Sequence, residues 1–389
     1  MQIFKYNIYY IIGLTVGILL FYQFEVWRLY PTYGGDYLQD WKYIQKYSNC
    51  LLDDKLSYCE ELLQFQFVYP KIWLQISILF KNNFEQVIYL FVLLYFTTSL
   101  YFFQNSKKIF HVFLVFSPNS ILLLQRGNNE IIIYFLAFVF LILINNKKRV
   151  LSLLPLLTAI FLKLYPLVLA PIYLVQSKTN KKSGVFLFLI IFILAIFLAD
   201  NIINTQGIIH SKILLTYSSG VILKLTKFLI DFTYINLFFY CFTFLFFSYC
   251  LSKLFKLQFS IPSHYKYENS FLVGSLILVS SFFLSSSFDY RYIFIIYTFP
   301  YMIIFLEKNF SKTNVNLIIS IIFISLWIEF VIFYYYEFID FSSIKAELGY
   351  VFNLKTLLFA FLILIKNILY WIVNILISYI SLRIVLKRI

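Results

Sequence analysis

The 389 residues of the chain would suffice for two or three soluble domains, but 61% of them are hydrophobic and only 13% are charged. Soluble proteins devote roughly 25% of their residues to Asp, Glu, Lys and Arg, so most side chains here have to face lipid instead of water. This excludes a soluble globular fold and predicts a polytopic membrane protein. The formal net charge is +14. In a membrane protein such an excess of Lys and Arg usually orients the loops and contacts anionic lipid, and nucleic-acid binding is the weaker interpretation.

Apolar runs near 20 residues in length predict membrane spans along the whole chain. These runs lie at 8–24, 86–104, 109–123, 130–145, 184–200, 232–252, 270–288, 292–306, 314–336 and 354–382. Residues 25–85 form a first outer loop with an interfacial or re-entrant segment. Lys163 and Pro166 interrupt the stretch 150–176, which we expect to form a broken pair of half-helices. We predict one all-α integral membrane domain over residues 1–389, with about 10–12 transmembrane helices and an outward-facing cavity.

Lys and Arg predict the orientation of these spans, because cytoplasmic loops are enriched in cations. With the N-terminus inside, every short inner loop has at least two cations, as at Lys147, Lys148 and Arg149. We therefore expect a multi-pass protein of the plasma membrane with both termini in the cytoplasm. Five polar clusters then share the outer face, at residues 34–41, 69–70, 126–130, 163–166 and 289–291.

The cysteines and histidines do not predict a metal centre. Cys50 and Cys59 share the first outer loop, where a disulfide is one option, and Cys241 and Cys250 are nine positions apart on opposite faces of one predicted helix. The three histidines are scattered along the chain. A zinc or di-iron site is therefore not expected.

The outer-face motifs resemble those of a known family. A Gly35-Asp36 pair with aromatic neighbours, then Tyr69-Pro70, Gly127-Asn128 and Lys163-Leu164-Tyr165-Pro166, follow the order seen in glycosyltransferase family 87. Members of that family are polyprenol-phosphate-mannose-dependent and related membrane enzymes of the GT-C architecture. The resemblance covers about the first 180 residues, and beyond them it depends on hydropathy and on Asp289-Tyr290-Arg291.

The resemblance implies a GT-C-like fold and transfer of a sugar, such as the hexose mannose, from a polyprenyl-phosphate-linked donor to a glycan or lipid acceptor on the outer face. It also implies that Asp36 corresponds to the family's catalytic acidic residue in the first outer loop. Two departures from the family pattern, Lys71 after Tyr-Pro and Asn128 after the glycine, leave the identity of the donor open.

Acceptor activation needs a general base, and a partly desolvated carboxylate can serve. Asp36 is our candidate, and Asp40, four positions later, shares its face if the segment is helical. The alternative is a turn or N-cap role for Asp36, with Asp40 on a solvated face. Together with Glu130, both aspartates are also able to hold one divalent cation, although no spacing demands it and no cofactor is otherwise indicated.

Arg126, Lys163 and Arg291 are the candidate ligands of the donor phosphate, because guanidinium and ammonium groups stabilise the negative charge that builds up on a leaving phosphate. The alternative for each is contact with lipid headgroups from a helix end. Candidate sugar-binding or acceptor-binding residues are Asn128, Asn129, Glu130, Tyr165 and Tyr290. For the first three the alternative is capping of the following helix, and for the tyrosines it is an interfacial aromatic belt.

Two ionisable residues lie inside predicted spans, Glu329 and Lys366. We predict that they form a buried ion pair between the last two spans, and a proton relay is the less favoured interpretation. Two other functions remain open for the whole chain. One is a transporter or flippase of lipid-linked sugars, and the other is a polysaccharide polymerase or ligase.

Overall fold

The computed structural model of the protein describes residues 16–17, 39–52, 72–79, 84–102, 108–176, 181–203, 216–217, 235–263, 265–284, 287–338 and 354–388. In chain order its helices are α1 (Gln39–Leu52), α2 (Ile72–Leu79), α3 (Phe84–Tyr101), α4 (Lys108–Val115), α5 (Pro118–Gln125), α6 (Glu130–Asn145), α7 (Arg149–Leu162), α8 (Ile172–Gln176), α9 (Lys181–Ile203), α10 (Ile235–Lys256), α11 (Tyr265–Leu284), α12 (Ile295–Asn309), α13 (Lys312–Phe338) and α14 (Leu354–Arg388). Two 3-10 helices cover Tyr165–Leu169 and Asp289–Phe294. The two-residue strands β1 (Thr216–Tyr217) and β2 (Ser287–Phe288) pair antiparallel, with Thr216 opposite Phe288.

The chain divides into two compact units. The first comprises Met1–Asn105, Ile121–His210 and Arg388–Ile389, and the second comprises Ser106–Ser120 and Ser211–Lys387. Each unit has its own buried apolar and aromatic side chains, such as Leu123 and Tyr134 in the first, and Phe294 and Tyr301 in the second. The single membrane domain over residues 1–389 stays a prediction.

Within the described chain, two helical stretches are long and apolar enough to cross a membrane. They are Lys312–Ile332 in α13, with a mean hydropathy of 2.4, and Leu357–Arg388 in α14, with a mean hydropathy of 2.1. Helices α5 and α6 pass the same test only when taken together, and the chain bends by 114° between them. The coarse prediction of a helical protein with apolar helices able to span a membrane is therefore confirmed, whereas the bundle of 10–12 helices stays a prediction.

Large apolar side chains are exposed on two long helices, α9 and α10. Phe186 on α9 is 63% exposed, and Phe244 and Leu245 on α10 are 69% and 65% exposed. A water-soluble protein rarely leaves contiguous apolar faces of this kind uncovered. Their chemistry suits contact with the hydrocarbon of a bilayer.

The structure differs from the sequence prediction at 109–123. Instead of one span, the chain forms α4 and α5, separated by Phe116 and Ser117. Pro118 is the first residue of α5, and a proline disfavours helical geometry at the residue before it while fitting well at a helix start. The proline, within the sequence Ser117-Pro118-Asn119-Ser120, therefore ends one helix and begins the next between two apolar runs.

Aromatic and hydroxyl contacts hold the first unit together beneath its polar residues. Trp41 on α1 packs edge-on against Phe91 on α3, with ring centroids 5.8 Å apart. Helix α3 meets α6 through Tyr134, whose hydroxyl lies 3.1 Å from the Ser99 hydroxyl. Trp73 on α2 donates its indole N–H to the Leu162 carbonyl at 3.1 Å, which ties α2 to the end of α7. These contacts hold α1, α3 and α6 together and join α2 to α7.

In the second unit, α11 and α12 approach each other closely at Gly274. A Cβ atom at this position would lie 2.6 Å from Tyr297 Cβ and 2.7 Å from the Phe294 carbonyl oxygen. One turn earlier, the Ser270 hydroxyl donates to the Tyr297 carbonyl at 2.6 Å. Small residues at this spacing let helices pack backbone to backbone, as is common in membranes.

We expect Gly274→Ala to destabilise the protein by about 1–3 kcal/mol, because the added methyl group has to push the α12 backbone away. Thermal unfolding of the purified protein in nanodiscs measures the effect. Ser280→Ala on the same helix is the control and should shift stability by no more than about 0.5 kcal/mol, since Ser280 bonds only within its own helix. Equal stability of the two variants would contradict the close approach.

The predicted ion pair between α13 and α14 is confirmed. Lys366 Nζ lies 3.0 Å from Glu329 Oε1, and both side chains are fully buried. The Tyr370 hydroxyl donates to the same oxygen at 3.0 Å. The Tyr370 ring packs against Tyr292, whose hydroxyl lies 3.0 Å from the Ser325 hydroxyl. A layer of paired polar groups therefore joins two helices that are long and apolar enough to cross a membrane.

Single substitutions in this pair should cost far more than the double substitution. Lys366→Met leaves a buried carboxylate without its cation and is expected to cost about 3–5 kcal/mol, whereas Glu329→Gln with Lys366→Met should recover much of that loss. Unfolding of the two single variants and the double variant forms a double-mutant cycle. Strictly additive losses would show that the two charges do not stabilise each other.

Candidate functional site

A carboxylate and a guanidinium hold the start of α1 in place. Asp40 is the second residue of α1 and Arg126 follows the last residue of α5, 86 positions later. The Arg126 side chain donates to Asp40 Oδ1 from Nε at 3.1 Å and from Nη2 at 2.6 Å. In return, the Asp40 backbone N–H donates to the Arg126 carbonyl at 3.1 Å. The same two residues therefore bond through both side chain and backbone, and one free N–H of the first turn of α1 is satisfied.

The chain reverses direction directly after Arg126, and a glycine makes this turn possible. Gly127 has a φ of 58°, in the left-handed region that glycine adopts without strain. Its N–H donates to the Leu124 carbonyl at 3.0 Å, and the Asn128 N–H donates to the Leu123 carbonyl at 3.2 Å. These two bonds form a Schellman motif that ends α5. The turn delivers residues 128–130 to the side on which Arg126 holds Asp40.

Asn128 links the two halves of the polar cluster. Its Nδ2 donates to Asp40 Oδ2 at 2.5 Å, and its Oδ1 accepts the backbone N–H of Glu130 at 2.9 Å. The second bond satisfies an N–H at the start of α6, where helices lack internal acceptors. The side chain is fully buried. Asn128 thereby fixes the Asp40 carboxylate relative to the first residue of α6.

Glu130 organises the other half of the cluster. It is fully buried, and Lys163 Nζ lies 2.8 Å from its Oε1. Its second oxygen, Oε2, accepts a hydrogen bond from the Tyr165 hydroxyl. Lys163 leaves the end of α7 in an extended conformation, with φ −155° and ψ 134°, and Pro166 is the second residue of the 3-10 helix that follows. The break in the helix therefore brings Lys163 and Tyr165 to the same carboxylate.

We name the residues Asp40, Arg126, Asn128, Glu130, Lys163 and Tyr165 the paired cluster. Its two carboxylates are matched by two cations, so its formal charge is zero. The Arg126 and Lys163 side chains keep 18% and 13% of their surface exposed, whereas Glu130 keeps none. Each cation thus keeps somewhat more exposed surface than its carboxylate partner, since the Asp40 side chain is 11% exposed.

The cluster brings together six of the predicted site residues, from three of the predicted outer-face motifs. Arg126 and Lys163 contact carboxylates, and both phosphate binding and the alternative of headgroup contact stay predictions. Asn128 has the capping role that was one of its two alternatives. Asn129 lies in the same turn and is buried. Tyr165 bonds Glu130 through its hydroxyl, and stacking on a sugar stays a prediction.

The paired cluster does not include the remaining predicted residues. Asp36 and Cys59 fall outside the described residues. Tyr290 and Arg291 belong to the second unit, in the 3-10 helix Asp289–Phe294, where Arg291 is half-buried. Among the described residues, no group of three or more His, Cys, Asp or Glu side chains comes together as a metal site.

Sequence reasoning missed the pairing partners and the supporting tryptophan. Nothing in the sequence connects Asp40 with Arg126, because they are 86 positions apart and meet only through tertiary packing. The indole of Trp73 fixes the last carbonyl of α7, at Leu162, immediately before Lys163. Glycine followed by Asn at the end of an apolar run was the one available signal for the turn.

Comparison with protein-family models, curated proteins and solved structures finds no match for this chain. The resemblance to glycosyltransferase family 87 therefore depends on the motifs alone, and the activity that it implies is a proposal.

The two Schellman turns at either end of α6 allow a matched stability test. Lys147 has a φ of 60° after α6, with N–H bonds from Lys147 to Ile144 and from Lys148 to Leu143, as at Gly127. A non-glycine residue in this region costs roughly 1–2 kcal/mol. We expect Gly127→Ala to lower the free energy of unfolding by about this amount and Lys147→Gly to raise it.

Thermal unfolding of both variants measures these opposite shifts. Gly127→Ala should also weaken any ligand binding that depends on the paired cluster, because it disturbs the turn that carries Arg126 and Asn128. Lys147→Gly should leave such binding unchanged. Shifts of the same sign in the two variants would contradict this account.

Proposed function

We propose that the protein is an integral membrane glycosyltransferase that transfers a sugar, such as mannose, from a polyprenyl-phosphate-linked donor to a glycan or lipid acceptor. The active site would lie on the outer face of the plasma membrane in a GT-C-like helical domain with cytoplasmic termini. The observation that carries the proposal is the paired cluster, in which residues from three of the predicted outer-face polar clusters, 34–41, 126–130 and 163–166, contact one another.

Transfer from a lipid monophosphate requires cations where the phosphate leaves, because negative charge grows there as the glycosidic bond breaks. Arg126 and Lys163 fit this requirement. Both belong to a preformed cluster, and both retain exposed surface. Their orientation is set before the donor arrives, so little reorganisation is needed at the moment of reaction.

Asp40 has a supporting role in this proposal. Its carboxylate oxygens accept bonds from Arg126 and Asn128, so it orients the guanidinium that would meet the phosphate. Glu130 does the same for Lys163. A phosphate that contacts either cation would share it with the carboxylate already bound there.

Asp36 remains our candidate for the general base. It lies three positions before Gln39, the first residue of α1, and four before Asp40. As general base, its carboxylate would accept the proton of the acceptor hydroxyl while the cations hold the phosphate.

The test is transfer of radiolabelled sugar by the purified protein in nanodiscs, from polyprenyl-phosphate-mannose and polyprenyl-phosphate-glucose. Asp36→Asn should lower the rate by about 100-fold or more, and Asp40→Asn should cost less. Arg126→Ala and Lys163→Ala should raise KM for the donor about tenfold or more. Arg126→Lys should fall between, because it keeps the charge but loses the planar fork.

Lys46→Ala is the matched control, since Lys46 is an exposed cation on α1 and lies outside the paired cluster. It should leave KM and the rate unchanged. Full activity of folded Asp36→Asn would remove the assignment of the base. An unchanged donor KM in both Arg126→Ala and Lys163→Ala would remove the assignment of the phosphate ligands.

A transporter of lipid-linked sugars is the second candidate function. The observation that favours it is the buried Glu329–Lys366 pair, because ionisable groups inside membrane helices often mark ion or substrate pathways. A fluorescent lipid-linked sugar in proteoliposomes separates the two candidates. Movement between leaflets that is lost in Glu329→Gln, without sugar transfer in the wild type, would support the transporter.

A further inference from the structure

Three consecutive polar residues, Asn128, Asn129 and Glu130, lead into α6, which begins at Glu130. The structure distinguishes their roles. Asn128 uses both atoms of its amide within the protein, on Asp40 and on the Glu130 N–H. Glu130 uses both carboxylate oxygens, on Lys163 and Tyr165. Asn129, between them, differs from both.

The Asn129 side chain is buried without a hydrogen bond. Only 1% of the residue is exposed, and within the described chain neither its Oδ1 nor its Nδ2 has a hydrogen-bond partner. Asn129 is the N-cap residue of α6, with φ −65° and ψ −8°, yet its side chain makes no capping bond. Asn128 already satisfies the Glu130 N–H that starts the helix.

An amide in this condition is costly to the folded protein. A buried donor or acceptor that lacks a partner loses its bonds to water without replacement. An apolar side chain of equal volume would avoid this loss. A hydrogen-bond partner from outside the described chain, such as a ligand, would offset this cost.

The chemistry of the amide indicates the class of that partner. Asn offers one acceptor oxygen and two donor hydrogens and carries no charge. This set matches a hydroxyl group, which both donates and accepts, whereas a phosphate offers only acceptors and is better met by the cations Arg126 and Lys163. Asn129 lies between Asn128 and Glu130, two residues of the paired cluster, so the proposal places a ligand hydroxyl beside the phosphate that Arg126 and Lys163 would hold.

We propose that Asn129 is the residue that recognises the sugar, by hydrogen-bonding one of its hydroxyl groups while the paired cluster holds the phosphate. This inference rests on the proposed function, because it takes the ligand to be a polyprenyl-phosphate-linked sugar. It assigns specificity for the sugar to Asn129 and affinity for the phosphate to Arg126 and Lys163.

The experiment compares the binding of two lipids to the purified full chain in nanodiscs. Polyprenyl phosphate carries only the phosphate, and polyprenyl-phosphate-mannose adds the sugar hydroxyls. The wild type should bind the mannose-bearing lipid more tightly. Asn129→Leu should reduce the ratio of the two affinities about tenfold and leave the affinity for polyprenyl phosphate unchanged.

A second measurement on the same variants keeps the test independent of folding. Asn129→Leu removes a buried amide that lacks a partner, so its thermal midpoint without ligand should rise by roughly 2 °C. Asn128→Ala is the matched control in the same turn. It loses two internal bonds, so its midpoint should fall and its affinity for both lipids should drop together.

The outcomes separate this inference from the proposed function. If Asn129→Leu keeps the full preference for the mannose-bearing lipid, or if the wild type binds both lipids equally, Asn129 does not recognise the sugar and the proposed function still stands. If the wild type binds neither lipid, both proposals fall. A lower midpoint in Asn129→Leu would indicate that the amide serves the fold and would also overturn the inference.

Discussion

The bond between Arg126 and Asp40 is the contact on which the first unit depends most, because it joins two segments that are 86 residues apart in sequence through both backbone and side chains. It fixes the first turn of α1 against the end of α5. Asn128 then bonds both Asp40 and the Glu130 N–H at the start of α6. Glu130 in turn bonds Lys163 at the end of α7. Four helix ends thus share one set of polar contacts, and their charges cancel.

The two units solve the same physical problem differently. Burying an unpaired charge among apolar residues is expensive, so each carboxylate described here at such a site is paired with a cation. The Glu329–Lys366 pair has no exposed surface on either side chain. The pairs of the first unit leave Arg126 and Lys163 partly exposed. A fully buried pair is suited to joining two helices. Under the proposed function, the exposed surface of Arg126 and Lys163 would let a ligand contact them.

The sequence predicts the parts of this structure that depend on composition and local pattern. Isolated charges within apolar runs predicted the pairing of Glu329 with Lys366, because few other partners exist in those helices. Helices able to span a membrane followed from hydropathy. The pairing of Asp40 with Arg126 and of Glu130 with Lys163 could not be predicted in this way. The partners are 86 and 33 positions apart, and they meet only through the packing of the helices. The break before Pro118 was signalled by Ser117-Pro118-Asn119-Ser120, a turn-like sequence inside the predicted span 109–123 that hydropathy alone does not resolve.

The difference between Asn128 and Asn129 shows what geometry adds to residue type. Both residues are buried amides in one turn, and sequence reasoning gave them the same two alternatives, capping or sugar binding. The left-handed conformation at Gly127 rotates the chain so that Asn128 faces Asp40 and the Glu130 N–H, and one residue later the contacts end. A single turn therefore satisfies one amide completely and leaves its neighbour without a partner. Under the proposed function, the cations would fix the phosphate and the unsatisfied amide would select what the phosphate carries.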